Sequence, residues 1–572
     1  ELKLGAADRL NQQAREWYEQ VKYQQAITFA QQALKIREAL LPADDPNLGI
    51  SLNNLGLFYS RQGEYTEAEP LYQRALKIYR QAFVGHHPDL ATTLNNLALL
   101  YQSQGKYDEA QPLYHEALEM RQALFDGDHP DIADSLNNLA EFFALQGNDQ
   151  KARSLHQSAL AMYRRLFPGE HPRVALSLNN TALFYQSQAQ YEEAESLFQE
   201  ALAMRQRLFS GDHPSVANSL NNLADLYRSQ GKYSQAEPLF QDSLEMYQRL
   251  FSGDHPLVAN SFNNLGELYR LQGRYREAKP FYEKALAMRK RLFPGDHLRV
   301  ATTLNNLGLL HLSQNEYPLA EKYFQDSLAM HQRLFTGDHV RVALSLNNLA
   351  VLYRSQGRYT AAQPLYQEAL AMRQRLFPED HPDVAISLNN LALVHFAQQD
   401  YQEAESLFQA SLGIYERLFK DAHPQLALSL NNLAALYLVQ QDYAQAIHFL
   451  KRGTDVEEDL LTRNLVSGSE QQKRAYLKLF EGTTNRAISL HLQNAPQSPE
   501  AANLALTTIL RRKGRVLDLL GNSLQQLREN PTPEVAALLE KWSAVQNQLS
   551  QLAYRSRSEE HTSELQSLSH IS

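Results

Sequence analysis

Ten adjacent asparagine pairs begin at Asn53, Asn95, Asn137, Asn179, Asn221, Asn263, Asn305, Asn347, Asn389 and Asn431, and every step between them is 42 residues. A recurring period of about 20 to 50 residues constrains a fold more than composition does. One such unit cannot bury its apolar face alone and must stack on its neighbours. Asn11-Gln12 stands one step before the first pair, so eleven units fill residues 1–462, the first atypical and suited to capping. Asn costs a helix roughly half a kcal/mol relative to Ala. A pair that keeps returning calls for an offsetting role.

Each unit carries two helical patterns. In "HPDLATTLNNLALLYQSQGKYDEA", Pro88 suits a first helical turn and His87 or its neighbours can cap it. Gly105 then suits a left-handed stop, as do Gly63, Gly147, Gly231, Gly273 and Gly357, with Asn315 as the natural substitute. The second helix starts near Tyr107, and Pro112 is expected in or just after its first turn. Ala recurs in the second helix without exception, from Ala26 and Ala68 to Ala404 and Ala446, which implies close helix approach. The matching small site of the first helix is Ala98, with Gly56, Gly266 and Gly308 as equivalents.

The order Leu97, Ala98, Tyr101, Ala110, Tyr114, Ala117 resembles the tetratricopeptide repeat (TPR) pattern, in a 42-residue form with "LNNLA" and "DHP" elements similar to the repeats of kinesin light chains and many bacterial proteins. Leu stands where the motif opens on Trp, and Leu298 and Val340 replace the usual Pro. The resemblance implies an all-α fold: a right-handed α-solenoid of about eleven helix pairs, followed by a short helical connector.

At about 100° per residue, with Leu94 as zero, Leu90, Ala91, Leu97, Ala98 and Tyr101 form one apolar stripe. Asn95 falls at its edge, and Asn96 lies opposite it beside Thr92, Leu99 and Ser103. First helices line the concave surface of TPR folds, so the resemblance puts Asn54, Asn96, Asn138, Asn180, Asn222, Asn264, Asn306, Asn348, Asn390 and Asn432 in the groove. An amide offers donor and acceptor together, the complement of a peptide bond, and a ladder of them could hold an extended partner. Bonding across neighbouring first helices, fixing the superhelical pitch, is the other role open to them, and the one expected for the edge residues. The variable groove rows place Asp134, Glu141, Asp225 and Glu267 in the middle units and Leu344, Ile386, Leu393 and Leu428 in the later ones. A partner is expected to present a basic or polar stretch to the former and an apolar stretch to the latter. The lack of Lys or Arg on these rows argues against a clamp for acidic C-termini.

Nine histidines also recur at this period, at His87, His129, His171, His213, His255, His297, His339, His381 and His423. One ligand per layer cannot assemble a metal site, so a role at the start of each first helix is expected. The chain has no cysteine, and no Walker loop, GxSxG or HExxH occurs, so no catalytic residue, metal or cofactor is assigned. A net charge of −9 speaks against nucleic acid, "RRKGR" at 511–515 reading as a solvated or domain-contacting face. No apolar run approaches the ~18 residues of a membrane span. The expected setting is cytoplasmic, with export left open because the chain starts at Glu1 rather than Met.

The period stops after "VSGSEQQ". Residues 463–556 read as helical patterns, with Ser498 and Thr532 placed as caps. "EAANLALTTILRRKGRVLDLL" resembles the connector of bacterial TPR-CHAT proteins, in which a caspase-like domain follows. "RSEEHTSELQS" at 557–567 looks instead like translated sequencing adapter, a non-native tail. The natural domain is then expected to be lost, stranding an apolar stripe at Val535, Leu538, Leu539, Trp542, Val545, Leu549 and Leu552. The expected function is a non-catalytic scaffold for a protein or peptide partner, that missing domain included. The alternative is the regulatory half of a caspase-like protease. No small-molecule substrate is expected.

Overall fold

A computed structural model describes residues 2–419, 422–464, 477 and 480–512. Among these residues every regular element is helical. The chain divides into two compact units, with the boundary between residues 464 and 465. The first holds eleven helix pairs, from Leu2–Glu19 with Tyr23–Leu40, through Pro88–Ser103 with Tyr107–Leu124, to Pro424–Val439 with Tyr443–Asn464. The α-solenoid expected from the period is the fold that forms. In the second unit a helix over Glu481–Ser489 runs into a π-helical turn, Leu490–Asn494. Ser498 then accepts from the Ala501 amide at 3.1 Å, capping the helix that follows. The end of the basic cluster from Lys513 to Arg515, Thr532, the 535–552 stripe and the 557–567 tail lie outside the described residues.

Small residues let the helices of a pair close on each other. Ala26, Ala68, Ala110, Ala152, Ala194, Ala236, Ala278, Ala320, Ala362, Ala404 and Ala446 are all wholly buried. Across the pair, Gly308 lies so near Phe324 that a Cβ there would sit 2.6 Å from the ring, and Gly266 stands likewise at 2.9 Å from Tyr282. Gly63, Gly105, Gly147, Gly231, Gly273 and Gly357 take the expected left-handed stop, as does Asn315 at φ 60°. Val21, Ala189, Gln399 and Gln441 fill the same place in other units. Pro112 falls just after the first turn, as expected, but as the sixth residue of its helix it still takes the helical donor from the carbonyl four residues earlier.

Nine of the first helices open on histidine, and Asp45 caps Pro46–Gln62. In all nine units the imidazole Nδ1 accepts the amide of the residue two further on, at 3.0 to 3.2 Å. The ring is held by a phenylalanine four residues earlier, stacked nearly parallel, as in Phe125 on His129 at 3.4 Å between centroids and Phe377 on His381 at 3.5 Å. The role expected for these histidines is thus the one they fill, in the neutral form that keeps the Nδ1 lone pair free.

A second row ties each unit to the next. Arg37, Arg121, Arg205, Arg289 and Arg373 are buried near the ends of alternate second helices, and Tyr79, Tyr163, Tyr247, His331 and Tyr415 take the intervening places. Arg121 donates to the Asp131 carbonyl at 3.0 Å and the Ser135 hydroxyl at 2.6 Å. Arg205 and Arg373 make the same pair of bonds. Burial lowers the pKa of Arg121, Arg205 and Arg373 and pushes Arg289 down to about 9. The next unit's phenol, not a second cation, neighbours Arg121, Arg205 and Arg373 in the stack.

Successive turns of the coil also meet. His339 Nε2 lies 3.0 Å from the Ser103 carbonyl and His381 Nε2 lies 2.9 Å from that of Leu145, in each case 236 residues apart, about five and a half units.

Candidate functional site

First helices of neighbouring units touch one another directly, as Pro46–Gln62 does Pro88–Ser103 and Pro256–Leu271 does Leu298–Ser313. The elements that crowd lie on the inside of a curved stack, which places the groove along them. The two asparagines of each pair are not equivalent there. The first is buried in most units, as at Asn95, Asn137, Asn179, Asn263, Asn305, Asn347, Asn389 and Asn431. The second is half-buried in every unit from Asn54 to Asn432.

The two rows bond to each other across the layers. Asn96 Nδ2 donates to Asn53 Oδ1 at 3.1 Å and Asn138 to Asn95 at 3.0 Å. Asn222 donates to Asn179 at 2.8 Å, Asn264 to Asn221 at 2.9 Å and Asn306 to Asn263 at 3.0 Å. Asn348, Asn390 and Asn432 continue the series onto Asn305, Asn347 and Asn389. Asn180 breaks it, and Asn137 Oδ1 stays buried with no partner. Each rung joins residues 43 apart, so groove and edge asparagines are the two ends of one bond.

This changes what the ladder can offer. The groove amide was expected to present donor and acceptor together, but one of its two N–H groups is engaged in the rung, which leaves the carbonyl oxygen and one N–H. The rungs bias the groove toward acceptors. Replacing Asn263 by Ala leaves Asn306 without its acceptor, and thermal denaturation is expected to show a loss of about 1 kcal/mol.

The acidic residues of the middle units divide. Asp134 pairs with Arg173 at 3.3 Å and accepts from the Tyr163 hydroxyl. Asp225 accepts Arg228 Nε at 3.0 Å and Gln186 Nε2 at 2.9 Å. Glu267 takes a two-pronged contact from Arg270, at 2.9 and 2.7 Å, and the Tyr282 hydroxyl at 2.6 Å. Burial raises Glu267, yet the Arg270 and Tyr282 bonds hold it below the usual carboxylate range. Glu141 alone of the four is solvent-exposed. The arginines that neutralise its neighbours sit three residues along the same helix or one unit on, where a reading of the two rows alone did not look. In the later units Leu344 and Leu428 are exposed, and Val351, Ile386 and Leu393 are half-buried.

Among the described residues no three His, Asp or Glu side chains converge as a metal site, and no helix is long and apolar enough to cross a membrane.

No curated protein matches the chain. Among solved structures it is similar to BtubC (BKLC) from P. vanneervenii, at 29% identity over 41% of this chain and 94% of that one, with a TM-score of 0.35. It is also similar to a kinesin light chain-like protein of Podosopora anserina with nearly identical TPR-like repeats, at 24% identity over 36% and 99% of the two chains, with a TM-score of 0.32. A Rap protein complexed with Competence and Sporulation Factor is similar at 16% identity over 64% and 99%, with a TM-score of 0.43. A tetratricopeptide repeat family model matches residues 18–81, 48–113, 89–165, 173–249, 235–291, 293–375 and 383–458, and a second such model matches 347–417. With most of its length matched in this way, and with helix pairs, buried alanines and left-handed stops in register, the chain belongs to the tetratricopeptide repeat family.

Proposed function

We propose that the array is a protein-binding scaffold that holds an extended segment in the groove of the first helices. The reading is carried by the ladder: Asn96, Asn138, Asn222, Asn264, Asn306, Asn390 and Asn432 each spend one N–H on the stack, which tips what they offer toward the carbonyl oxygen and hydrogen-bond donors from outside. Backbone amides and Lys, Arg, Asn or Gln side chains are the donors such a column selects. Exposed Glu141 favours a cationic group near the fourth unit, and exposed Leu344 and Leu428 favour apolar contact at the later units. Each bond contributes only ~0.5 to 1.5 kcal/mol net, so affinity comes from several rungs read together.

Two triple variants separate recognition from architecture. Asn222→Ala, Asn264→Ala and Asn306→Ala remove both the rungs and the groove oxygens. Asn179→Ala, Asn221→Ala and Asn263→Ala break the same rungs but leave the oxygens in place. On an array of basic, polar and apolar peptides, the first triple is expected to weaken retention of basic peptides about tenfold or more and the second only slightly. Equal losses would mean that the ladder sets geometry and recognises nothing.

A finer reading, that the array recruits or senses a partner for a caspase-like domain, rests on the resemblance over 500–520. Sequencing the gene beyond the adapter-like tail tests it, since a His and Cys in a caspase-like domain would be encoded there.

A further inference from the structure

The coil does more than return on itself. The stop of the second unit meets the start of the eighth: a Cβ on Gly63 would lie 3.2 Å from the His297 ring, and Tyr65 stacks on Phe335. The third unit meets the ninth in the same way, where a Cβ on Gly105 would lie 3.3 Å from His339 and Tyr107 stacks on Phe377. The fourth meets the tenth at Gly147, where a Cβ would lie 3.2 Å from His381. His297, His339 and His381 are buried, whereas His87, His129 and His171 are half-buried. Leu298 and Val340, which replace proline at the first two of these contacts, join the apolar clusters that hold Tyr65 and Tyr107.

The sequence changes where this seam should continue. Asp149 stands in the place of Tyr65 and Tyr107, and Ala189 in the place of Gly63, Gly105 and Gly147. Here the turns leave a pocket of about 760 Å³ lined by Asp149, Arg153, Ala189, Phe419 and His423, before Tyr191–Leu208 meets Tyr443–Asn464. His423 is half-buried there, and among the described residues it makes no bond of the kind His339 and His381 make to the earlier turn.

We propose that the seam is a latch, closed by glycine–histidine contacts and tyrosine–phenylalanine stacks and interrupted at Asp149 and Ala189, which shuts the side of the groove and opens without unfolding any unit. Two helices of one unit pack along their whole length, but the turns meet mainly at their loops and helix starts, with Tyr191–Leu208 also touching Tyr443–Asn464. Opening therefore separates a few rings and two hydrogen bonds while each pair keeps its own core. With the latch closed, an extended segment enters the groove from its ends. With it open, the segment lies in from the side. The latch does not depend on which segment the groove holds.

The chain has no cysteine, so pairs of introduced ones can carry spin labels. Asp108 and Gln374, both exposed, flank the seam at the third and ninth units. The unaltered seam is expected to give one short distance. Tyr65→Asp with Tyr107→Asp should add a second, longer population at unchanged helicity, because Asp149 already opens an intact helix at the same place in the fourth unit. A distance left unchanged in that variant overturns the latch. If the variant loses helicity, Asp149→Tyr with Ala189→Gly decides instead. Labels at Glu192 and Glu379, across the pocket, should then draw together, and no change there overturns the proposal.

Discussion

Acidifying the protein from pH 7 to pH 5 is expected to destabilise the array by several kcal/mol. Burial pushes His255, His339 and His423 down to about 4 and His297 to about 3. His156 and His331, inside second helices, are likewise pushed down to about 4. An unfolded histidine takes up its proton near pH ~6.5. Between about 6.5 and 4 the unfolded chain therefore binds protons that the folded array excludes, and each costs about 1.4 kcal/mol per pH unit. The stability is complete above pH ~6.5 and is lost as the pH falls toward the folded values. Asp149, raised to about 6 by burial, opposes this with one proton. Most carboxylates titrate lower, near ~4, and do not cover the window. Urea midpoints between pH 7.5 and 5 measure the effect. His339→Asn with His423→Asn should flatten the slope, since Asn caps a helix without titrating. A profile already flat in the unaltered chain would mean that the caps are not neutral imidazole.

Phe324→Ala is expected to cost about 3 to 5 kcal/mol, the range for removing a fully buried aromatic ring. The ring is wholly buried and lies against Gly308, whose missing side chain makes room for it. Neighbouring layers cannot collapse into the space, because each is fixed by its own small residue and aromatic ring. In a stacked array the loss stays local, so the denaturation curve should split or broaden at the eighth unit rather than shift as a whole. A loss below about 1 kcal/mol would show that the ring is not part of the core.

Much of this was legible in the sequence because it repeats at one period. The alanine row predicts close approach and every member is buried. The glycines predict left-handed stops and take them. The histidines predict helix starts and cap nine of them. What the sequence hid are relations between layers. A projection at about 100° per residue separates Asn95 from Asn96 but cannot show that Asn96 will donate to Asn53, since that partner comes from stacking. Arg270 neutralises Glu267 from the next helical turn, a position outside the two rows taken as the groove. The Phe125–His129 stack had a visible signal in its spacing of four, yet ring contact depends on the loop between. The contact of His339 with Ser103 was hidden most deeply, because it depends on a twist accumulated over 236 residues.

The alternation of Arg121, Tyr163, Arg205 and Tyr247 gives the array a true period of 84 residues beneath the visible one of 42. Unequal crossing-over at the gene adds or removes whole units, and the outcome depends on parity. Loss of two units restores the order of cation and phenol. Loss of a tyrosine unit sets two buried guanidinium groups in adjacent layers, and loss of an arginine unit sets two phenols together. The alternation survives descent only when such an array lengthens or shortens in pairs.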